Sequence, residues 1–315
     1  MVIKLNLIDK NKRYNSIDRY YKAKYGKKVA KISLNGNFSC PNKDGTKGVD
    51  GCIYCSASGS GDFAGDKSLD ILSQFQQIKT VIDNKWPDAL YMPYLQANSN
   101  TYGTVEKLKE VYEPLTTLPD IVGISIATRA DCFNEEIYAY LKDLNSRIPL
   151  QIELGLQTIH EETAKLINRK TELYELEDAI KRLRAVGIEI VIHIINGLPY
   201  ETKDQMLETI KYINALDIQG IKIHSLLVLK NTKLAQLYEK EQFPILSLEE
   251  YIDITVSQIE LLRPDIIIHR VGADSSVEDL IVPLWTRKKL VVMNEIDKLL
   301  RKKDSYQGIS YIKKI

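Results

Sequence analysis

Three of the four cysteines in this 315-residue chain fall within sixteen positions, as Cys40, Cys52 and Cys55, spaced C-x11-C-x2-C. So few cysteines cannot build a disulfide framework, and in a reducing compartment their crowding points to metal or redox chemistry. Thiolates are soft ligands that zinc and iron-sulfur clusters both accept. Structural zinc asks for four ligands, and no nearby His or Cys supplies the fourth at the usual spacing. Three thiolates on a four-iron cluster leave one iron open, which turns a structural motif into a place where a cofactor or substrate binds. Unliganded thiols are the remaining alternative. Asn42, Asp44, Gly45, Gly48 and Gly51 between the cysteines read as turns, with glycine letting the backbone wrap closely around a bulky inorganic group. Cys132 stands apart and reads as a quiet buried thiol.

The elements that must position this loop show a repeated grammar. Short β-rich runs at 29–34, 89–95, 121–127, 149–154, 188–195, 220–228 and 265–271 alternate with helical periodicity, and capping boxes open helices at Thr202–Gln205 and Ser247–Glu250. Strand then helix, repeated, implies a parallel sheet. From the second run to the sixth, starts lie 28 to 39 residues apart, the length of one βα unit, and no linker interrupts them. Several strands alternate rather than staying uniformly apolar. Gln151 and Glu153 share one face of the fourth, Lys222 and His224 one face of the sixth. A barrel or partial barrel explains this, with apolar side chains toward outer helices and polar ones toward a cavity. A flat sheet with a few satisfied polar residues is the alternative.

Composition bounds the class. With 44% hydrophobic and 27% charged residues the chain can bury a full core. No run approaches the roughly 18 apolar residues of a membrane helix, and the first 31 residues are charged, so a cytoplasmic chain without anchor or secretory signal is expected. The net charge of +1 is unevenly spread: +8 over residues 1–31, +6 over 286–315, and −13 between. Tyr14, Tyr20, Tyr21 and Tyr25 interleave with the N-terminal lysines, a mixture suited to phosphate contact and base stacking, or to a plain solvated helix.

CPNKDGTKGVDGCIYC at 40–55 resembles the cluster loop of the bacterial radical S-adenosylmethionine (SAM) family of the YhcC/YtqA type, itself similar to the radical SAM domain of the elongator catalytic subunit. The likeness continues through YLQANSNTYG at 94–103, ATRADC at 127–132, IELGLQT at 152–158, NGLPYET at 196–202, KIHSLLVLKNT at 222–232 and LIVPLWTRKK at 280–289. It implies an α/β fold, a partial (β/α)6 TIM-like barrel over 29–285, with basic N- and C-terminal extensions at 1–28 and 286–315. It implies a 4Fe-4S cluster on Cys40, Cys52 and Cys55, with SAM on the fourth iron. Tyr54 matches the position that packs on adenine, and Gln96, Asn98 and Asn100 the segment that grips the methionine ammonium. Arg129 would hold the methionyl carboxylate and Glu153, with Gln157 close behind, the ribose hydroxyls, or Arg129 and Glu153 would pair with each other. Asn196 and Gly197 end the fifth strand where backbone would approach adenosine. Lys222 and His224 are candidate substrate contacts, with His224 and His193 also readable as satisfied core histidines.

The resemblance and the basic ends together favour transfer RNA, and the reaction expected is conversion of a carboxymethylaminomethyl group at C5 of the wobble uridine to aminomethyl. An electron donor of the flavodoxin or ferredoxin type and a downstream methyltransferase would be partners. A radical enzyme acting on a protein or small metabolite, and a non-catalytic zinc-stabilised RNA-binding module, are the rivals.

Overall fold

The computed structural model describes residues 8–59 and 61–312. The outer parts of both basic extensions, 1–7 and 313–315, lie outside the described residues. The order of elements is α1 (Ile17–Tyr25), β1 (Val29–Leu34), α2 (Ile71–Lys85), β2 (Leu90–Leu95), α3 (Val105–Thr116), β3 (Ile124–Thr128), α4 (Glu135–Arg147) and β4 (Leu150–Gln157). Then come α5 (Glu161–Leu166), α6 (Leu173–Ala185), β5 (Glu189–Asn196), α7 (Lys203–Ile213), β6 (Gly220–Ser225), β7 (Val228–Leu229), α8 (Lys233–Glu241), α9 (Leu248–Leu261), β8 (Ile267–Val271), β9 (Leu280–Val282) and α10 (Lys289–Lys302). Seven strands hydrogen-bond in the order β1-β2-β3-β4-β5-β6-β8, while β7 and β9 form an antiparallel pair. The apolar run at 220–228 is therefore two strands, not one. β3 starts at Ile124 because Ile121 makes only an isolated bridge to Tyr91.

By internal packing the chain divides into two units: 21–155 with 170–191, and 8–20 with 156–169 and 192–312. In the first, parallel registers fix which side chains share a face. Lys31 pairs with Met92, Ser33 with Tyr94, Tyr94 with Ser125, Ser125 with Gln151 and Ala127 with Glu153. That face is polar. The other face puts Ile32, Leu34, Ile124, Ile126, Ile152 and Leu154 into a core, all fully buried, as are Leu108, Leu115, Leu141 and Leu144 of α3 and α4. At about 25 cal/mol per Å² of apolar area, this burial is the main force that lays those helices on the sheet.

In the second unit β6 and β8 pair in parallel with a bulge between Ile221 and Lys222, so that Ile221 faces Ile268 and Lys222 faces Arg270. α10 packs on α9, burying Ile296 and Leu300. Both expected capping boxes form at α7 and α9, and a third, Glu172 with Glu175, opens α6. The N-terminal segment is stitched to the body. Ile268 donates its amide to the Asn15 carbonyl at 2.8 Å, and the Asn15 amide donates to Gln307 Oε1 at 2.9 Å, covering the edge of β8.

This placement corrects the stacking role read for Tyr14 and Tyr21, while Tyr20 and Tyr25 are half-buried. Tyr14 and Tyr21 are buried and belong to the core, because an amphipathic segment laid on the fold turns its aromatic stripe inward. The charge at the ends is also partly cancelled within this unit: Lys12 pairs with Asp297 at 2.9 Å, Arg13 with Asp304 at 3.0 Å and Arg19 with Asp9 at 2.9 Å. Among the described residues no helix is long and apolar enough to cross a membrane.

Candidate functional site

The eleven residues between Cys40 and Cys52 fold as a series of turns. The Cys40 carbonyl accepts from the amides of Lys43 (2.8 Å) and Asp44 (3.2 Å), Pro41 from Lys47 (2.7 Å) and Gly48 (3.2 Å), and Asn42 from Gly51 (2.6 Å). Gly48 is required here, since a Cβ would lie 2.5 Å from Asn42 Oδ1. Cys52 and Cys55 close their own turn, Cys55 N to Cys52 O at 3.0 Å, and Asn42 Nδ2 lies 3.7 Å from Cys52 Sγ. Cys40, Cys52 and Cys55 are all half-buried free thiols. The hydrogen bond shared by the Cys52 and Cys55 thiols, opposed by burial and helped by the Arg129 guanidinium, brings Cys52 down to about 6. The same bond, with burial, pushes Cys55 well up. Of the pair, Cys52 is the one drawn toward the thiolate, the form that binds metal. Burial, then the charge of Cys52 and Cys55, pushes the Tyr54 phenol well above its usual range.

Two sets of polar contacts hold this loop. Lys47 reaches Asp131 Oδ2 at 2.8 Å and Glu175 Oε1 at 3.0 Å, while Lys170 Nζ donates to the Lys47 carbonyl at 2.9 Å. Asp131 in turn takes Arg129 in a two-pronged contact, Nε to Oδ1 at 2.9 Å and the terminal nitrogen to Oδ2 at 2.7 Å. Burial opposes ionisation of Asp131, but Arg129 and then Lys47 outweigh it and hold the carboxyl below its usual range. On the other side, Lys43 Nζ donates to the carbonyls of Ser56 (3.2 Å) and Ala57 (3.3 Å) and to Asn98 Oδ1 (3.2 Å).

The residues after β2 are drawn into the same scaffold. Asn98 adopts a left-handed backbone, φ +59°, donates Nδ2 to the Phe38 carbonyl at 3.1 Å and its amide to the Gly59 carbonyl at 2.9 Å. Asn100 is fully buried and donates Nδ2 to the carbonyls of Ala127 (2.8 Å) and Leu95 (3.2 Å), while its Oδ1 is buried without a partner. Gln96 is half-buried, with its amide 3.3 Å from the Leu34 carbonyl. Cys132 is buried beside Asp131, and burial raises its thiol.

Arg129 and Glu153 each meet a counter-ion of their own, Asp131 and Lys31. Glu153, 1% exposed, is bound to Lys31 and accepts from Ser125 Oγ at 2.7 Å. Lys31 also reaches Ser125 Oγ at 3.1 Å and Gln151 Oε1 at 3.2 Å, and its ammonium sits 4.7 Å from the centre of the Tyr94 ring. Sequence reasoning missed Lys31, Lys43, Lys47 and Asp131. Lys31 left a signal, a lone cation inside the apolar run VAKISL; the others sit in turns, where a lysine or aspartate is unremarkable.

In the second unit Gln157 ends β4 with φ +61°. Asn196 is buried and forms a reciprocal amide pair with Gln258, at 2.7 and 2.8 Å, so the sequence reading of Asn196 as a cofactor contact meets a side chain already engaged. Gly197 has φ +84°, and a Cβ there would lie 3.0 Å from Leu246 Cδ1, so local packing alone accounts for the glycine. Lys222 is buried, and the His193 and His224 rings lie 5.1 Å apart, tilted by 43°.

The donor set suits an iron-sulfur group. In a single-ion zinc site, with Zn–S of about 2.3 Å, ligand atoms crowd within about 4 Å of one another; among the described residues no three Cys, His, Asp or Glu side chains gather to hold one ion. Three cysteines on one turn-rich loop are instead the thiolate set that a four-iron cluster takes. The orphaned Asn100 Oδ1 is an acceptor awaiting a donor, as an ammonium group would be.

Residues 45–213 match the Radical SAM superfamily and residues 218–302 the Radical_SAM C-terminal domain. The chain is 45% identical to YtqA of Bacillus subtilis over 94% of this chain and 92% of that protein, and 31% identical to YhcC of Escherichia coli over 88% and 89%. Among solved structures, the archaeal Elp3 of Methanocaldococcus infernus superposes with a TM-score of 0.66 at 17% identity, covering 89% of this chain and 64% of that one. The chain belongs to the radical SAM superfamily. Its fold is the α/β partial barrel of that superfamily.

Proposed function

We propose that this radical SAM chain cleaves S-adenosylmethionine reductively at a 4Fe-4S cluster on Cys40, Cys52 and Cys55, and acts in the cytoplasm on the C5 side chain of the tRNA wobble uridine, converting carboxymethylaminomethyl to aminomethyl. The observation that carries the first half is the folded cysteine loop, in which a series of backbone turns over residues 40–55 holds Cys40, Cys52 and Cys55 on one compact segment as free thiols. A cluster held by Cys40, Cys52 and Cys55 would supply the single electron for reductive cleavage of the cofactor's sulfonium bond. The chain's own residues orient that cofactor and keep water from it. Asn100 offers Oδ1 to the methionine ammonium, beside Gln96 and Asn98; Tyr54 packs on adenine; Arg129, aimed by Asp131, faces the methionyl carboxylate. Glu153, held by Lys31, is retained for the ribose, and Gln157 with the backbone at Asn196 and Gly197 for the adenosine, with Lys222 and His224 for substrate.

Support for tRNA comes from exposed cations left after the termini pair, among them Lys22, Lys27, Arg301 and Lys302. Each such cation neutralising a phosphate would steepen the salt dependence of binding. A donor of the flavodoxin or ferredoxin class and a methyltransferase acting on the product complete the reading. Anaerobic reconstitution followed by assay of 5′-deoxyadenosine with and without tRNA, and mass spectrometry of tRNA nucleosides from a gene-disrupted strain, test it. An unchanged wobble-nucleoside profile overturns the substrate. The neutralisation of Lys12, Arg13 and Arg19 favours a second reading, a protein or small metabolite as substrate; cofactor cleavage indifferent to added tRNA would support it.

A further inference from the structure

Four cations meet the cysteine loop: Lys170, through the Lys47 carbonyl at 2.9 Å, and Arg129, Lys47 and Lys43, whose partners differ in kind. Arg129 and Lys47 both lean on Asp131, and Lys47 on Glu175 as well, so their charges are locally cancelled. Lys43 is different. Its ammonium bonds to the Ser56 and Ala57 carbonyls and Asn98 Oδ1, three neutral oxygens. An ammonium has three N–H donors, and here all three are spent. The stem is fixed too. Gly51, at φ +70°, leaves room for it, since a Cβ there would lie 3.2 Å from both Lys43 Cγ and Cε. A lysine with every donor used is poorly placed to seize a ligand, but its charge still acts through space. That charge is held at the cysteines: the Lys43 amide donates to the Cys40 carbonyl at 2.8 Å, and its ammonium to the carbonyl of Ser56, the residue after Cys55, at 3.2 Å.

We propose that Lys43 is a tuning residue of the cysteine loop: held by neutral oxygens with its charge uncancelled, it favours the reduced form of the iron-sulfur group on Cys40, Cys52 and Cys55. This rests on the reading that those cysteines hold a cluster. Potentials of such groups follow net charge, hydrogen bonding to sulfur and exposure, and a fixed positive charge stabilises an added electron. The step takes one electron from a low-potential donor of the flavodoxin or ferredoxin class, or from dithionite in vitro; no bond to Lys43 forms or breaks. Lys43 also ties the loop to Asn98, so geometry and charge must be separated by experiment.

The test uses the full chain, reconstituted anaerobically with iron and sulfide, with bound iron counted and the cluster titrated with dithionite under electron paramagnetic resonance. Lys43→Gln, which keeps a donor and loses the charge, is expected to lower the reduction equilibrium constant about tenfold, which is 59 mV for one electron. Lys43→Arg, which keeps the charge, is expected to stay within about twofold of wild type. A Gln variant with the wild-type constant, or an Arg variant shifted as far as the Gln variant, overturns the proposal. Should Lys43→Gln hold no iron, Lys43→Arg decides: full iron with the wild-type constant supports a role for charge, and a lowered constant overturns it. Wild-type protein that takes up no cluster overturns the parent reading instead, so the two failures are distinguishable.

Discussion

Lys31→Met tests the polar face of the sheet most directly. The Glu153 side chain is 0% exposed and the Lys31 side chain 23%, so methionine in place of lysine removes the cation and leaves a carboxylate sealed from water. Breaking a buried pair from one side costs about 3–5 kcal/mol, and the lower end applies here because Ser125 Oγ still donates to Glu153 at 2.7 Å. A loss of about 3 kcal/mol raises the unfolding constant more than about 100-fold. With about 2.1 cal/mol/K of unfolding entropy per residue, it lowers the melting temperature by about 5 °C. Urea denaturation followed by circular dichroism measures the first figure and a thermal scan the second. Lys31→Met/Glu153→Met removes both charges at similar volume and should recover to within about 1 kcal/mol of wild type, a coupling of about 2 kcal/mol or more. A single-variant loss below about 1 kcal/mol, or single losses that simply add in the double variant, would show that the two charges are not a desolvated pair.

Asp131→Asn removes the anchor of Arg129 and Lys47. Because the folded carboxyl lies below its unfolded value of about 3.9, its contribution is present above about pH 4 and fades as pH falls through the folded value. The gap between wild type and variant in urea should therefore be wide at pH 7 and narrow progressively as pH falls below about 4; a gap independent of pH refutes the ion-pair account. Gly197→Ala should cost about 1–2 kcal/mol, from the left-handed backbone and the 3.0 Å approach to Leu246 Cδ1. Replacing Leu246 with alanine in the same background should return the packing part only, as seen in the double-variant melting curve. Cys52→Ser should lower iron bound after anaerobic reconstitution to background and leave the secondary structure seen by circular dichroism unchanged, because Cys52 lies in a turn outside the strands.

Much of the architecture is legible in the chain itself, for a physical reason: strand periodicity and cap chemistry are local. VAKISL becomes β1 residue for residue, and the Thr202–Gln205 and Ser247–Glu250 boxes form where the spacing puts them. The cysteine spacing, too, is a local property, since residues 40–55 fold back on themselves through bonds among near neighbours.

Partnership was not local, and only the tertiary structure decided it. Arg129 and Glu153 were each legible as charged residues near strand ends, yet which counter-ion each meets depends on register between strands far apart in sequence: β1 brings Lys31 to Glu153, and the loop after Cys40 brings Lys47 to Asp131. Tyr14 and Tyr21 look alike to an exposed aromatic in sequence and prove to be core. A residue's type fixes the charge or donor it can offer, but the cost of burial forces each such group to find a partner, and the fold alone determines which partner lies within reach.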